Sequence, residues 1–183
     1  HTAEIDAGVV FKRIDLPGCI VFKACAGSVG DTQMATSLSA QGYQLSTIEH
    51  MMSALSGLGV DNVIIEVEGG ELPIMDGSAA PFVFLLQSAG IVNQPAKKQF
   101  LRILKPMEVS EGDATASLAP HEGFKLSYTL EYDHPVFAAH ERTACIEFSA
   151  MSFVKEVSRA RTFGFFLDIE NHVVEELMKI SRN

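Results

Sequence analysis

Apolar positions recur along this chain with two periods, and the changes of period mark its elements. Within residues 46–62, Ile48, Met51 or Met52, Leu55 and Leu58 return every three or four positions, which predicts a helix with one face on a core. Ser46 and Glu49 stand at capping-box spacing at its start, and Gly59 is placed to end it in a left-handed turn. Upstream, Val9-Val10-Phe11 and Cys19-Ile20-Val21-Phe22 read as strands around the turn Asp15-Leu16-Pro17-Gly18. Residues 27–41 are rich in Gly, Ser and Thr and read as loop with a short extended piece. Downstream, Val63-Ile64-Ile65-Glu66-Val67 is a nearly continuous apolar run, the pattern of a strand buried on both faces. Residues 68–76 are turn-rich. Ser78 is placed to cap a second helix through Ala80, Phe82, Val83, Leu85, Leu86 and Ala89, stopped by Gly90.

Residues 93–99, with Pro95 and Lys97-Lys98, break the pattern and give the expected boundary, with domains over 1–95 and 96–183. Beyond it, 100–104, 114–118 and 124–132 read as antiparallel strands. The last alternates Phe124, Leu126, Tyr128, Leu130 and Tyr132 on one face. Residues 143–148 read as a further strand. Ser149 is placed to cap a helix through Phe153, Val154 and Val157, and 168–180 read as a final helix carrying Ile169, Val173, Leu177 and Ile180 on one side. The predicted class is α+β, with two successive sheet-plus-helix halves that suggest an internal duplication.

Composition narrows the function classes. The 183 residues are 47% hydrophobic and 20% charged, as in a soluble globular protein. A net charge of −9 argues against a nucleic-acid partner. No uninterrupted apolar run is long enough for a transmembrane segment. Cys19, Cys25 and Cys145 are odd in number and lack zinc-knuckle spacing, which fits reduced thiols and a cytoplasmic location.

The sharpest chemistry lies in Glu49-His50. An acid beside an imidazole in the first turn of a helix offers a metal ligand and a general base. Ser53, Ala54 and Gly57 on the following turns are small, and the helix N-terminus brings positive potential. Against this, a helix histidine is usually surface or core, and Glu49 alone completes a capping box. A catalytic zinc commonly takes about three protein ligands and a water. The other histidines are His1, His121, His134, His140 and His172. His172 and Glu176 have the one-turn spacing of a ligand pair, but also that of a solvated face beside Glu170 and Glu175. Asp61-Asn62 and Met75-Asp76-Gly77-Ser78 read as turns. The Thr162 hydroxyl can serve a developing oxyanion. Phe163 and Phe165 can line an apolar passage or simply fill core in a chain with 12 Phe and no Trp. Arg159 and Arg161 can meet phosphate or solvent, and Tyr132 can stack on a planar ring.

Four strings occur in order: Ser46-Thr47-Ile48-Glu49-His50; Leu58-Gly59-Val60-Asp61-Asn62; Pro73-Ile74-Met75-Asp76-Gly77-Ser78-Ala79-Ala80-Pro81-Phe82; and Ser158-Arg159-Ala160-Arg161-Thr162-Phe163-Gly164-Phe165. They resemble the UDP-3-O-acyl-N-acetylglucosamine deacetylases, zinc enzymes that commit bacteria to making lipid A, over residues 8–170. The resemblance implies two similar α+β domains with the site between them, and hydrolysis of an N-acetyl group. It implies that His50 is a Zn2+ ligand and Glu49 the general base. Thr162 is then the oxyanion residue, Phe163 and Phe165 lie near substrate, and Tyr132 lies under the uracil. Asp76 falls in a motif that supports the site, and His1-Thr2 in one near the substrate. The expected partner is a UDP-linked acylated amino sugar, bound by a monomer. The family's later His-Lys-x-x-Asp ligands and general-acid His have no counterpart here. Segments are expected to be missing at Glu4/Ile5 and Glu170/Asn171, leaving the second domain incomplete. Either the sequence incompletely represents an enzyme, or it is a shortened, catalytically inactive homologue that binds a sugar nucleotide or a protein.

Overall fold

The structure, a computed structural model, describes residues 1–131 and 142–164. Tyr132, His134, His140, Phe165, the expected helix over 168–180, and His172 with Glu176 lie outside the described residues.

Strand β1 (Val9–Arg13) is central in a three-stranded sheet of order β2-β1-β5. It pairs antiparallel with β2 (Ile20–Lys23) across the expected Asp15–Gly18 turn. On its other side it runs parallel to β5 (Val63–Val67), which demands a crossover. That crossover holds a short hairpin, β3 (Leu38–Ala40) with β4 (Tyr43–Leu45), and then helix α1 (Glu49–Leu58). Phe11 and Phe22 are cross-strand partners and both are fully buried. Around them close Ile20, Leu38, Leu45, Ile48 and Leu72, with Met51 and Met52 packed against the cluster. The sequence expectation of a strand buried on both faces does not hold for β5. It is an edge strand, half-buried along most of its length, and Thr2 bridges to Val63 on its free side.

Helix α2 (Ala80–Ala89) begins one residue later than a Ser78 cap would give, with Ala79 at the cap position and Pro81 in the first turn. Ser78 still serves that start, since its Oγ accepts from the Ala80 N–H at 3.2 Å. Ala54 of α1, Ala79, Phe82 and Val83 form a second core with one residue from the far half, Phe153. Phe153 stands in α3, a turn of α-helix (Ala150–Ser152) that continues as a π-helical turn (Phe153–Val157). Ser149 caps it as the sequence predicts, through a reciprocal box with Ser152.

Between α2 and α3 lie two separate two-stranded ribbons, β6 (Met107–Glu111) with β7 (Ala114–Leu118) and β8 (Lys125–Thr129) with β9 (Thr143–Glu147). No strand forms over 100–104. Phe100, Leu101 and Leu104 are exposed there, with no sheet face to be buried on, and pairing begins only after Pro106, which has no N–H to donate. The class is thus mixed α+β, as the period changes imply.

Candidate active site

Glu49 and His50 occupy the first turn of α1, but the expected capping box is not what places them. Ile48 holds the cap position with no side-chain hydrogen bond. Thr47 takes a left-handed φ of 59°, so the chain turns sharply between Ser46 and the helix. That turn carries the Ser46 hydroxyl away to Ser37 Oγ, 2.8 Å distant. The freed Glu49 carboxylate reaches outward instead, where its Oε2 accepts the Thr36 N–H at 3.0 Å. At the other end the prediction holds. Gly59 is left-handed at φ 74°, and its N–H and that of Val60 return to the last carbonyls of α1.

His50 is half-buried, and its Nε2 is fully shielded from solvent with no hydrogen-bond partner. A buried imidazole nitrogen left this way costs about 1–3 kcal/mol. A cation at Nε2 would supply the missing partner, so the donor chemistry at this atom fits a zinc ligand. Among the described residues no group of three His, Cys, Asp or Glu stands together to hold a metal. The room expected beside Gly57 is also taken: the Phe153 ring fills it.

The Asp76 loop and the Thr162 segment meet. Gly77, left-handed at φ 79°, turns its carbonyl to accept the Thr162 N–H at 2.8 Å. Asp76 Oδ1 accepts from Ser78 Oγ at 2.7 Å and from the Ser78 N–H at 3.1 Å. The Ser78 hydroxyl, its N–H and the nearby Arg161 hold this carboxyl below the usual range. Arg161 Nη2 lies 3.7 Å from Asp76 Oδ2. Thr162 and Phe163 are exposed. His1 lies elsewhere: its ring nitrogen meets Glu66 Oε2 at 3.0 Å and its amino group donates to Ile64 O, along the free side of β5. It lines a cavity of about 1120 Å³ with Gly59, Asp61, Asn62 and Gln94, at the C-terminal end of α1 rather than at Glu49-His50. Sequence reasoning passed over the roles of Thr36, Thr47 and Glu71, which set the geometry around the pair through backbone and hydroxyl contacts that no side-chain spacing signals.

A family model described as LpxC, UDP-3-O-acyl N-acetylglycosamine deacetylase, matches residues 1–181. The chain is 57% identical over 168 residues to a UDP-3-O-acyl-N-acetylglucosamine deacetylase of Saccharophagus degradans, covering 92% of this chain and 55% of the relative. Deacetylases of the same name from Marinobacter nauticus and Xanthomonas campestris are 53% and 54% identical over the same shares of each chain. The chain spans about half the length of the curated relatives it matches.

Proposed function

The chain belongs to the UDP-3-O-acyl N-acetylglycosamine deacetylase family, and from that premise we propose that it carries part of a zinc amidohydrolase site acting on UDP-3-O-acyl-N-acetylglucosamine in lipid A biosynthesis. The supporting observation is the buried, unpartnered Nε2 of His50, in the same first turn of α1 as Glu49.

In this reading His50 is one ligand of Zn2+, and the rest of the ligand set lies outside the described residues. Bound zinc supplies Lewis acidity toward the amide carbonyl and acidifies water. Glu49 removes the proton from the attacking water, held in place by the Thr36 N–H on its Oε2. The Thr162 hydroxyl donates to the oxygen that gains charge, on a backbone fixed by Gly77. Asp76, kept ionised by Ser78, holds the Gly77 turn and faces Arg161. Phe163 and Phe165 contribute apolar surface near the substrate, and His1 and Tyr132 belong to the substrate side in this reading. The partner is a UDP-linked acylated amino sugar, met by a monomer in the cytoplasm. Among the described residues no helix is long and apolar enough to cross a membrane.

Zinc content and acetate release from the UDP-linked substrate test this. His50→Ala is expected to lose zinc and activity together. Glu49→Gln is expected to keep zinc and slow hydrolysis by about 10²–10⁴-fold, the usual worth of a general base. A chain that binds no zinc, with His50→Ala changing nothing, is instead the sugar-nucleotide or protein binding module.

A further inference from the structure

We infer that Glu71 is a positioning residue for the Glu49–His50 pair: it receives the Thr47 hydroxyl and so holds the strained peptide that aims the first turn of α1. The inference rests on the deacetylase reading for its purpose, but its geometry stands apart from it.

Six non-glycine residues have positive φ among the described residues, and Thr47 is the β-branched one. A branched side chain is costly there, and glycine or asparagine would fit more easily. Such strain persists only where the surroundings over-determine it. They do so here. Thr47 is 4% exposed, and its Oγ1 donates to Glu71 Oε1 at 2.7 Å. On either side of this contact the backbones are joined, Ser46 N–H to Gly70 O at 2.9 Å and Leu72 N–H to Ser46 O at 3.0 Å.

The loop that carries Glu71 is itself anchored. The Ile14 N–H donates to Val67 O at 3.1 Å just before the loop, and beside it Arg13 grips Asp15 through two hydrogen bonds of 2.7 and 2.6 Å. From the opposite side, Thr36 O accepts the Ile48 N–H at 3.3 Å and the Thr36 N–H reaches Glu49. The start of α1 is therefore clamped between residues 36–37 and Glu71, and Thr47 lies just two residues before the proposed base. Fold alone does not call for a hydroxyl at a left-handed position. A fixed direction for the next turn does.

Amide exchange by NMR on Glu71→Ala, Glu71→Gln and Thr47→Gly tests this, beside deacetylation kinetics. Losing the clamp is expected to speed exchange of the Ile48 and Met52 amides about tenfold, the size of one hydrogen bond, while Val60 at the far end of α1 is unchanged. Glu71→Gln keeps an acceptor oxygen and should restore slow exchange. Thr47→Gly relieves the strain yet loses the hydroxyl, and should behave as Glu71→Ala without a lower unfolding midpoint. In turnover, Glu71→Ala should lower kcat about tenfold with KM unchanged. Uniform acceleration through Val60, a Gln variant no better than Ala, or a Thr47→Gly chain with wild-type exchange would each overturn the inference. If Glu71→Ala fails to fold, Thr47→Gly decides. Absence of turnover in the unsubstituted chain counts against the deacetylase reading alone, since the exchange arm reads the clamp directly.

Discussion

The ring of Phe153 occupies the space that a Cβ on Gly57 would fill. One missing methyl on α1 thus lets α3 dock, and Phe153 arrives 1% exposed beside Ala54, Phe82 and Val83. Phe148 extends the contact at 5.7 Å between ring centroids, and Phe124 of the β8 ribbon follows at 5.2 Å. Gly57→Ala should therefore destabilise by about 1–3 kcal/mol through overpacking, and Phe153→Ala by about 3–5 kcal/mol through the cavity it leaves. Denaturant unfolding midpoints check both. An unchanged midpoint for Gly57→Ala would mean that α3 docks some other way.

His50 separates stability from chemistry. Because its Nε2 is buried without a partner, an apolar side chain removes an uncompensated polar group. His50→Leu is expected to leave the unfolding midpoint unchanged or raise it, by up to about 1 kcal/mol, while zinc retention is lost. A marked drop in midpoint would show that the imidazole contributes to packing.

The Arg13–Asp15 pair at the end of β1 makes part of the stability acid-sensitive. The Arg13 guanidinium holds the Asp15 carboxyl far below the usual carboxylate range. A depressed folded-state value means that the unfolded chain takes up its proton at higher pH. The stabilisation is therefore present above the unfolded value of about 3.9 and is lost as pH falls through the lower folded value. Unfolding midpoints measured from pH 6 downward should fall below about pH 4, and less steeply in Asp15→Asn. Equal slopes in the two chains would place the acid sensitivity elsewhere.

Cys25 should be the first thiol to alkylate. The Ser28 hydroxyl, 3.2 Å from its sulfur, and the N–H groups of Ser28 and Gly27 favour the thiolate and lower its pKa. Iodoacetamide labelling with peptide mapping at neutral pH should mark Cys25 ahead of Cys19 and Cys145, and Ser28→Ala should slow it. Labelling that ignores Ser28 would sink the assignment.

The sequence was most legible where a local rule acts alone. The α1 periodicity, its Gly59 stop, the Ser149 cap and the Asp15–Gly18 hairpin all depend on neighbours within a few positions, and each appears in the fold. It was least legible where distant segments compete for the same group. Ser46 and Glu49 have capping-box spacing, yet Ser37 and Thr36 claim their side chains once Thr47 turns left-handed. The apolar run of β5 suggests burial on both faces, but a three-stranded sheet leaves it at an edge. The small residue at position 57 looks like room for a ligand and is room for Phe153. The place of Glu49 and His50 in the first turn of α1 was readable because both fall in one helix.

The ribbons β6–β7 and β8–β9 are two-stranded, and their side chains are largely exposed. Isolated pairs of this kind have little cooperative stability of their own. Phe153 and the Thr162 N–H, by contrast, are fastened to the first half through Gly57 and Gly77. Protease nicking within a ribbon should thus remove pairing without freeing α3, and the chain should melt in two stages. The peripheral hairpins would open first, and the unit joining Glu49, Asp76 and Thr162 last.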